Sequence, residues 1–317
     1  MNKLVTAIVV TFRSKLLIDQ CLKSLEDEGV SQMIVVDNAS DDGTADYVAK
    51  HYPHIQLLRN SENIGFAAAN NLAIQQLEQA DSDVLLLNPD AWLAPDALAH
   101  MQAAMRSDSR IAIVGPSIER DQQLEPSLLL RPKASASIQF ILSGMRAMET
   151  GGFAGEVAPN YPWSSITDGD HVRGSCMLVR YQAIQDVGLL DDMFFLYFEE
   201  TEWCLRFRNQ GWRVVIAPDA QAYHLGKASV KTQESLPSLE LMRSAVLFWQ
   251  RVYTKPQALL LRVLLWHMVL VKYMLLLPFP STKERRKWLL KVASLSMNPF
   301  RLPMVYTNAR RPPKWEA

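Results

Sequence analysis

Carboxylates are the side chains of this sequence whose types and settings could do chemistry. Asp37 opens the stretch DNASDDGT, and Asp90 follows a leucine run in LLLNPDAW. The adjacent acids Glu199 and Glu200 come directly after MFFLYF. Oxygen ligands without paired cysteines or histidines suit a hard divalent cation such as Mg²⁺ or Mn²⁺, which bridges a protein carboxylate to substrate phosphates. Adjacent acids beside aromatic rings favour a raised pKa, which a general base needs.

Each of these residues also has a purely structural interpretation. Asp90 could cap the helix that Pro95 begins, and Asp37 could be a turn residue. The glutamates at 199 and 200 could lie on the solvated side of a helix, although the aromatic run leaves little room for an exposed face. His224, in AYHLGKAS, is a ligand candidate only if it ends a strand at the same edge, because most such histidines are structural.

The elements that must position these residues alternate between strands and helices. Helix-like stretches at 14–29 and 65–80 separate apolar runs, and this alternation predicts an α/β, Rossmann-like, mostly parallel sheet flanked by helices. Ligands of such sheets bind beyond the carboxyl ends of the strands. Every one of these ends is polar here, so the sequence predicts a ligand site at this edge. The predicted strands are residues 4–10, 33–37, 55–59 and 83–88.

The rest of the predicted domain is less regular. Pro95 suits the first turn of a helix, and residues 110–118 predict a further strand. The pattern weakens over residues 124–167, which we expect to be a variable segment that covers a substrate. Strand and helix patterns return at residues 172–188 and 212–226.

Several classes of protein are excluded by what the sequence lacks. There is no GxxxxGK[ST] phosphate loop, no GxGxxG after the first strand and no GxSxG elbow, which argues against P-loop, dinucleotide and serine-hydrolase chemistry. The three cysteines, at 21, 176 and 204, form no CxxC pair and indicate buried, reduced thiols. The first apolar run reaches Arg13 quickly and is interpreted as a strand rather than a signal peptide.

Charge is divided unevenly along the 317 residues, although the formal net charge is zero. Residues 251–317 hold thirteen Lys or Arg and two acids, a charge of +11, so residues 1–250 carry −11. We therefore predict a catalytic domain over 1–250 and a basic, apolar helical region over 251–317. Nucleic acid is a weaker alternative as a partner because no recognised motif accompanies the charge.

The apolar stretch 258–278 lies in this basic region. Arg262, His267 and Lys272 interrupt it about 140° apart, which leaves no clean polar face and makes a simple spanning helix costly. We expect a membrane-embedded hairpin or an interfacial helix on an anionic membrane surface, followed by the cationic KERRKW. A helix packed on the catalytic domain is the alternative.

Taken together, the motifs resemble the inverting family 2 glycosyltransferases with the GT-A fold, in particular the rhamnosyltransferase-like branch. The resemblance covers about residues 4–230, in the expected order. The stretches that carry it are VVTFRS, VVDNASDDGT, ENIGFAAANN, LLLNPDA, VRGSCMLVR, FFLYFEETEWCLR and YHLGKAS.

The resemblance implies a role for each matching residue. Asp90 would hold a divalent cation, Mg²⁺ or Mn²⁺, on the donor diphosphate with His224 as second ligand, and Glu200 would be the catalytic base. Asn88 replaces the first acid of the commoner Asp-x-Asp motif, which we interpret as a mark of the subfamily. Glu199 would orient the acceptor. The remaining implied contacts are Thr11, Asp37, Asn63, Gly65, Asn70 and Asn88 for the donor and Gly174 for the acceptor.

The implied reaction moves a sugar from a nucleotide-sugar donor, such as dTDP-L-rhamnose, to a lipid-linked glycan in bacterial polysaccharide or O-antigen synthesis. It would take place at the cytoplasmic face of the bacterial membrane, with the enzyme peripheral or monotopic. The alternatives are another donor, such as UDP-galactofuranose or a UDP-hexose, and a catalytically inactive homologue that binds glycans or scaffolds an assembly.

Overall fold

The computed structural model describes residues 4–30, 32–77, 82–142, 155–226 and 236–299. Within these ranges the strands are β1 Leu4–Thr11, β2 Gln32–Asp37, β3 Gln56–Arg59, β4 Ser82–Leu87, β5 Ala91–Leu93, β6 Ile111–Arg120, β7 Gln123–Glu125, β8 Leu128–Leu129, β9 Thr167–Gly169, β10 His171–Val172, β11 Cys176–Val179 and β12 Arg213–His224. The helices are α1 Ile18–Asp27, α2 Thr44–His51, α3 Phe66–Ile74, α4 Ala97–Ser107, α5 Ala134–Leu142, α6 Tyr181–Val187, α7 Glu199–Asn209, α8 Leu236–Val252, α9 Lys255–Leu276 and α10 Lys283–Met297.

The first half of the sheet is parallel, with strand order β3-β2-β1-β4. β1, β2 and β4 are buried on both faces, which explains their near-continuous apolar sequences, whereas β3 at the sheet edge is only partly buried. Val35 and Leu85 pack on one face with α1 and α4, whereas Ile34 and Leu86 pack on the other with α3 and α7. The four predicted strands and the shared polar edge at their carboxyl ends are confirmed.

The second half of the sheet is mixed, so the prediction of mostly parallel pairing holds only for the first half. β11 lies between β4 and β6 and is antiparallel to both, while β12 is parallel to β6 and antiparallel to β5. The chain reverses after β4, where the Ala91 N–H donates to the Asn88 carbonyl at 3.0 Å. β5 consequently joins the sheet beside β12 rather than beside β4.

The hydrogen bonds at the start of α4 distinguish between two interpretations of Asp90, as a helix cap or as a ligand. Glu28, which follows α1, accepts hydrogen bonds from the backbone N–H groups of Asp96 at 2.8 Å and Leu98 at 2.7 Å. This carboxylate therefore satisfies the free N–H groups of the first turn of α4. Pro95 precedes this helix instead of lying in its first turn, and Asp90 is not its cap.

The weakly patterned segment 124–167 contains β7, β8 and α5 where the structure describes it. Its residues 143–154 lie outside the described residues, so the predicted cover over a substrate stays a prediction. The three cysteines, at 21, 176 and 204, are buried and free, as the sequence predicts.

Helices α8, α9 and α10 pack around their own apolar cluster. The cluster includes Trp249 and Leu265, but it also takes in Phe194 and Phe198 from the loop before α7. The helical unit is therefore continuous with the core beside the two candidate glutamates. α8 runs through residue 250, and the division into 1–250 and 251–317 stays a prediction.

Candidate active site

The ends of β1 and β2 bring two buried polar side chains together. Thr11 pairs with Asp37 in the parallel register, and these side chains are 0% and 3% exposed. The Asp37 Oδ2 accepts the Ser40 N–H at 3.0 Å. The other oxygen of Asp37 and the Thr11 hydroxyl have no hydrogen-bond partner in the described part of the chain. Buried polar atoms normally have a partner, so these two side chains are suited to a polar ligand.

The loop before α3 forms the second wall of the site. The Asn63 Oδ1 accepts the Gly65 N–H at 3.0 Å, and Asn38 donates its side-chain amide to the Gly65 carbonyl at 3.1 Å. Gly65 has φ +90°, and a Cβ there would lie 2.6 Å from the Phe195 carbonyl oxygen. Only glycine fits this close approach. Asn70 uses its amide within α3, where it donates to the Phe66 carbonyl at 2.9 Å.

Asp90 and His224 meet at the opposite end of this edge. His224 ends β12, and its antiparallel pairing with Ala91 brings the imidazole Nε2 to 3.4 Å from the Asp90 Oδ1. The Leu225 N–H also donates to the Asp90 carbonyl at 3.0 Å. Both side chains are largely buried, at 14% and 7% exposure. His224 therefore ends a strand at the same edge as Asp90, which is the condition for considering it a ligand candidate.

The donor atoms of this pair fit a divalent cation shared with a substrate. One carboxylate oxygen and one imidazole nitrogen come from Asp90 and His224. Among the described residues no group of three or more His, Cys, Asp or Glu is arranged to hold a metal, so no complete protein cage is present there. Mg²⁺ and its relatives commonly use one or two protein ligands and take the remaining positions from phosphates and water.

Glu199 and Glu200 begin α7 after a strained turn. Tyr197 and Phe198 have φ angles of 73° and 71°, a conformation that is uncommon for bulky residues. The turn directs Glu199 into the interior, where it is 5% exposed, and leaves Glu200 partly buried. A Cβ on Gly174 would lie 3.0 Å from the Glu200 Cγ, so glycine there leaves room for this carboxylate.

Both glutamates have raised pKa values. Burial raises the pKa of Glu199 well above its ordinary value, and the charges of Glu200 and Glu240 add to this. Burial also raises the pKa of Glu200, whereas backbone N–H groups and Arg173 oppose the rise. A carboxylate with a raised pKa is a stronger base than an exposed one. The partly exposed Glu200 beside Gly174 meets this requirement with access to a ligand.

Backbone contacts join these parts into one site. The Asn88 N–H donates to the Ser175 carbonyl at 2.9 Å, which fixes the turn before Asp90 beside Gly174. The Phe66 N–H donates to the Phe195 carbonyl at 2.7 Å, which links the start of α3 to the loop before α7. The structure thus brings the ends of β1, β2, β4 and β12 to one edge of the sheet, whereas Asn70 lies within α3.

Sequence reasoning missed some residues at this edge. Arg173 lies in the stretch VRGSCMLVR, so its position next to Gly174 could have suggested a role. Arg120 and Glu125 lie in no recognisable motif, and only the pairing of β6 with β7 and β12 brings them to the site.

Comparison with known proteins identifies the class to which this geometry belongs. The family model described as Glycosyl transferase family 2 matches residues 6–155, which include the β1, β2 and β4 ends. The chain carries a glycosyl transferase family 2 domain, and it is a glycosyltransferase.

Two relatives are rhamnosyltransferases. The chain is 28% identical over 220 residues to the N-acetylglucosaminyl-diphospho-decaprenol L-rhamnosyltransferase of Mycobacterium tuberculosis, a match that covers 63% of this chain and 68% of the relative. It is 25% identical over 235 residues to the dTDP-rhamnosyl transferase RfbF of Shigella flexneri, with coverage of 73% and 72%.

A solved structure with the same fold is that of GalNAc-T7 with UDP, GalNAc and Mn²⁺. The TM-score is 0.59 at 13% identity, over 93% of this chain and 56% of the other. This chain therefore spans a little over half of the length of that protein. At this identity the likeness concerns the fold, which is GT-A-like, with a mixed central sheet flanked by helices.

Proposed function

We propose that this glycosyltransferase moves a rhamnosyl group from dTDP-L-rhamnose to a lipid-linked glycan, with inversion at the sugar carbon. The observation that carries the proposal is the meeting, at one sheet edge, of the buried Thr11 and Asp37 side chains, the Asp90–His224 pair and a partly buried glutamate beside a glycine. Similarity to two rhamnosyltransferases supports the donor sugar. A lipid-diphosphate acceptor is supported by the name of the mycobacterial relative.

In this proposal the ends of β1 and β2 bind the nucleotide. The unpartnered atoms of Thr11 and Asp37 would bond to the base or ribose, and Asn63 and Gly65 would shape the wall beside them. Asn70 and Asn88 would support this wall through their backbone and helix contacts.

Asp90 and His224 would hold a divalent cation, Mg²⁺ or Mn²⁺, on the donor diphosphate. The bound cation supplies positive charge that neutralises the departing nucleoside diphosphate. Asp90 is the carboxylate of this pair, and its burial after the end of β4 holds its side chain in one orientation.

Glu200 would accept the proton of the attacking acceptor hydroxyl. Attack from the face opposite to the leaving diphosphate inverts the sugar carbon in one displacement. Glu199 is enclosed more deeply and would orient Glu200 and the acceptor, while Gly174 leaves space beside the base. Since burial raises the pKa of Glu200, activity should fall on the acid side at a higher pH than an exposed glutamate would give.

A donor screen with two variants tests this proposal. We expect nucleoside diphosphate release with dTDP-L-rhamnose and Mg²⁺ or Mn²⁺, and loss of about 10²-fold or more in kcat for Asp90→Ala and Glu200→Gln. The matched controls are Asp83→Asn, a buried acid of β4 that accepts the Tyr181 N–H, and Glu202→Gln, which pairs with Arg206. Wild-type turnover in Asp90→Ala would contradict the metal assignment.

The same screen separates the alternatives. Turnover with UDP-galactofuranose or a UDP-hexose but not with dTDP-L-rhamnose would replace the donor and leave the chemistry in place. Binding of glycan without turnover of any nucleotide sugar would favour an inactive binding or scaffolding protein. If Glu199→Gln lost activity while Glu200→Gln kept it, the roles of the two glutamates would be exchanged.

We also propose that α9 and α10 rest on an anionic membrane. α9 is long and apolar enough to span a bilayer, with a mean hydropathy of 1.8 over an 18-residue window, and it is the one such helix among the described residues; core helices of soluble proteins share these properties. Arg262 donates to the carbonyls of Ser296 and Met297, so it closes the end of α10 instead of facing lipid. The outer apolar residues of these helices include Leu259, Val271, Met274, Leu275 and Leu290.

Charge supports an anionic surface as the partner. The first turns of α10 carry exposed basic residues next to this apolar face, namely Lys283, Arg285 and Lys287. Apolar insertion together with cationic attraction is how interfacial helices bind lipid. An enzyme that acts on a lipid-linked acceptor would gain access to it from this position at the cytoplasmic face of the membrane.

Vesicle sedimentation tests this location. We expect the protein to sediment with phosphatidylglycerol vesicles but not with phosphatidylcholine vesicles. Val271→Glu with Leu275→Glu should abolish the association, whereas Leu16→Glu, at a side chain that is 95% exposed before α1, should leave it intact. Unchanged sedimentation of the double variant would contradict this use of α9.

A further inference from the structure

A chain of charged side chains connects His224 with Glu200 along the edge of the site. The Arg120 Nη2 lies 3.5 Å from the His224 Nδ1, and the Arg120 Nη1 lies 2.8 Å from the Glu125 Oε1. The Arg173 Nε lies 4.0 Å from the other oxygen of Glu125. Arg173 precedes Gly174, and its charge opposes the burial that raises the pKa of Glu200. The two arginines therefore span the distance between the proposed leaving-group side and the proposed base.

The hydrogen bonds among these charged side chains are incomplete. The Arg120 Nε and the Glu125 Oε2 are buried without a hydrogen-bond partner in the described ranges. A guanidinium has five N–H donors, and Glu125 uses only some of those of Arg120. A buried donor without a partner costs about 1–3 kcal/mol, so a ligand that accepts from it is favoured.

The backbone after β12 leaves space for this guanidinium. A Cβ on Gly226 would lie 2.3 Å from the Arg120 Nη2 and 2.6 Å from its Cζ. Gly226 also has φ +62°, which favours glycine. A side chain there would have to shift the flexible end of Arg120, so this glycine leaves room for the guanidinium.

The charge of the cluster is positive and accessible. Two guanidinium groups flank one carboxylate, and the arginines at 120 and 173 are 32% and 35% exposed whereas Glu125 is 16% exposed. The planar fork of arginine matches the paired oxygens of a phosphate group. An anion with several phosphate oxygens could bond to both arginines while the acid between them holds their spacing.

We propose that Arg120 and Arg173 form a binding site for a diphosphate group, outside the Asp90–His224 pair. This inference rests on the proposed function, in which both the nucleotide donor and the lipid-linked acceptor carry a diphosphate. Arg120 binds the part of the group nearest His224, and Arg173 binds the part nearest Glu200. The chemistry of the ligand is the same for both sources, and only the experiment separates them.

Binding of inorganic pyrophosphate to the full-length chain, measured calorimetrically without any sugar donor and without a divalent cation, tests this site. Loss of one charge-assisted hydrogen bond should weaken binding about 10- to 100-fold in Arg120→Gln and in Arg173→Gln. Arg120→Lys should recover part of this loss because it keeps the charge. The control is Arg208→Gln, whose side chain has the same 32% exposure but pairs with Asp170 at 3.4 Å.

Two further probes identify the source of the diphosphate. Weaker binding of dTDP to the arginine variants would assign the site to the donor, and weaker binding of farnesyl diphosphate would assign it to the acceptor; either result supports the proposal. Equal affinity of pyrophosphate for the wild type, Arg120→Gln and Arg173→Gln, with all three folded by circular dichroism, would overturn it. Because none of these measurements needs turnover, an absence of rhamnosyl transfer would contradict the proposed function without deciding the site.

Discussion

Two arginine–glutamate pairs of this chain have opposite surroundings. Arg243 and Glu240 lie on α8, 2.6 Å apart and 4% and 0% exposed. Arg120 and Glu125 lie on β6 and β7, 2.8 Å apart and 32% and 16% exposed. The first pair is enclosed in the helical unit, and the second borders the candidate active site.

The two guanidinium groups differ most in how their donors are used. Each nitrogen of Arg243 has an acceptor, since it also donates to the carbonyls of Met193 at 2.9 Å and Pro299 at 3.2 Å. Arg120, by contrast, keeps a buried Nε without a partner among the described residues. The bonds of Arg243 anchor α8 to the loop before α7, although the Glu240 Oε2, like the Glu125 Oε2, has no partner among the described residues. An arginine N–H without a partner can receive a ligand. Donor use therefore distinguishes Arg243, whose nitrogens are all bonded, from Arg120, for which we propose a ligand.

The largest expected effect is on the Arg243–Glu240 pair. Arg243→Met should lower the free energy of unfolding by about 3–5 kcal/mol, because it leaves the Glu240 carboxylate buried without its partner. Urea unfolding measures this loss, and the double variant with Glu240→Met should recover much of it. Arg251→Gln is the control, since its pair with Asp191 is 46% exposed on the arginine side. An equal loss of unfolding free energy in Arg243→Met and Arg251→Gln would contradict the larger structural contribution of the buried pair.

A smaller effect is expected at the neighbouring serine of α8. The Ser244 Oγ donates to the Leu196 carbonyl at 2.7 Å, in the loop that leads to Glu199. Ser244→Ala should cost about 1–3 kcal/mol of stability and lower kcat as well, because the loop that positions the glutamates loses its anchor. Ser296→Ala is matched in burial but removes a bond within its own helix, to Ala293 at 2.7 Å. Its kcat should remain near that of the wild type.

The parts of this molecule that could be predicted are those encoded in local patterns. The first four strands and their polar ends follow from continuous apolar runs, and this placed Asp37 and Asp90 at the ligand edge. The proximity of His224 to Asp90 depended on a condition that only the pairing of β12 with β5 could meet. Long-range pairings also form the mixed half of the sheet. The cap of α4 is likewise a long-range contact, because Glu28 lies 70 residues before Leu98 in the chain. Nothing local indicates such contacts.

A third prediction concerns pH and the buried acid Glu199 at the start of α7. Burial, with Glu200 and Glu240 nearby, makes the pKa of Glu199 higher in the folded chain than in the unfolded chain. Its contribution to stability is therefore present below the ordinary pKa and is lost as the pH rises through the raised value. Glu199→Gln cannot ionise, so it should be more stable than the wild type at mildly alkaline pH and equally stable in acid. Thermal unfolding at both pH values measures this, and a stability difference independent of pH would contradict it.

The smallest effect on stability is expected at the Arg120–Glu125 pair. Arg120→Gln should change the free energy of unfolding by at most about 1 kcal/mol, because its salt bridge is partly exposed and its donors are not all used. Pyrophosphate should raise the melting temperature of the wild type and of Arg243→Met, but much less that of Arg120→Gln, because a ligand stabilises only the state that binds it. If Arg120→Gln were instead as destabilising as Arg243→Met, both pairs would be structural. The open donors of Arg120 would then no longer indicate a ligand.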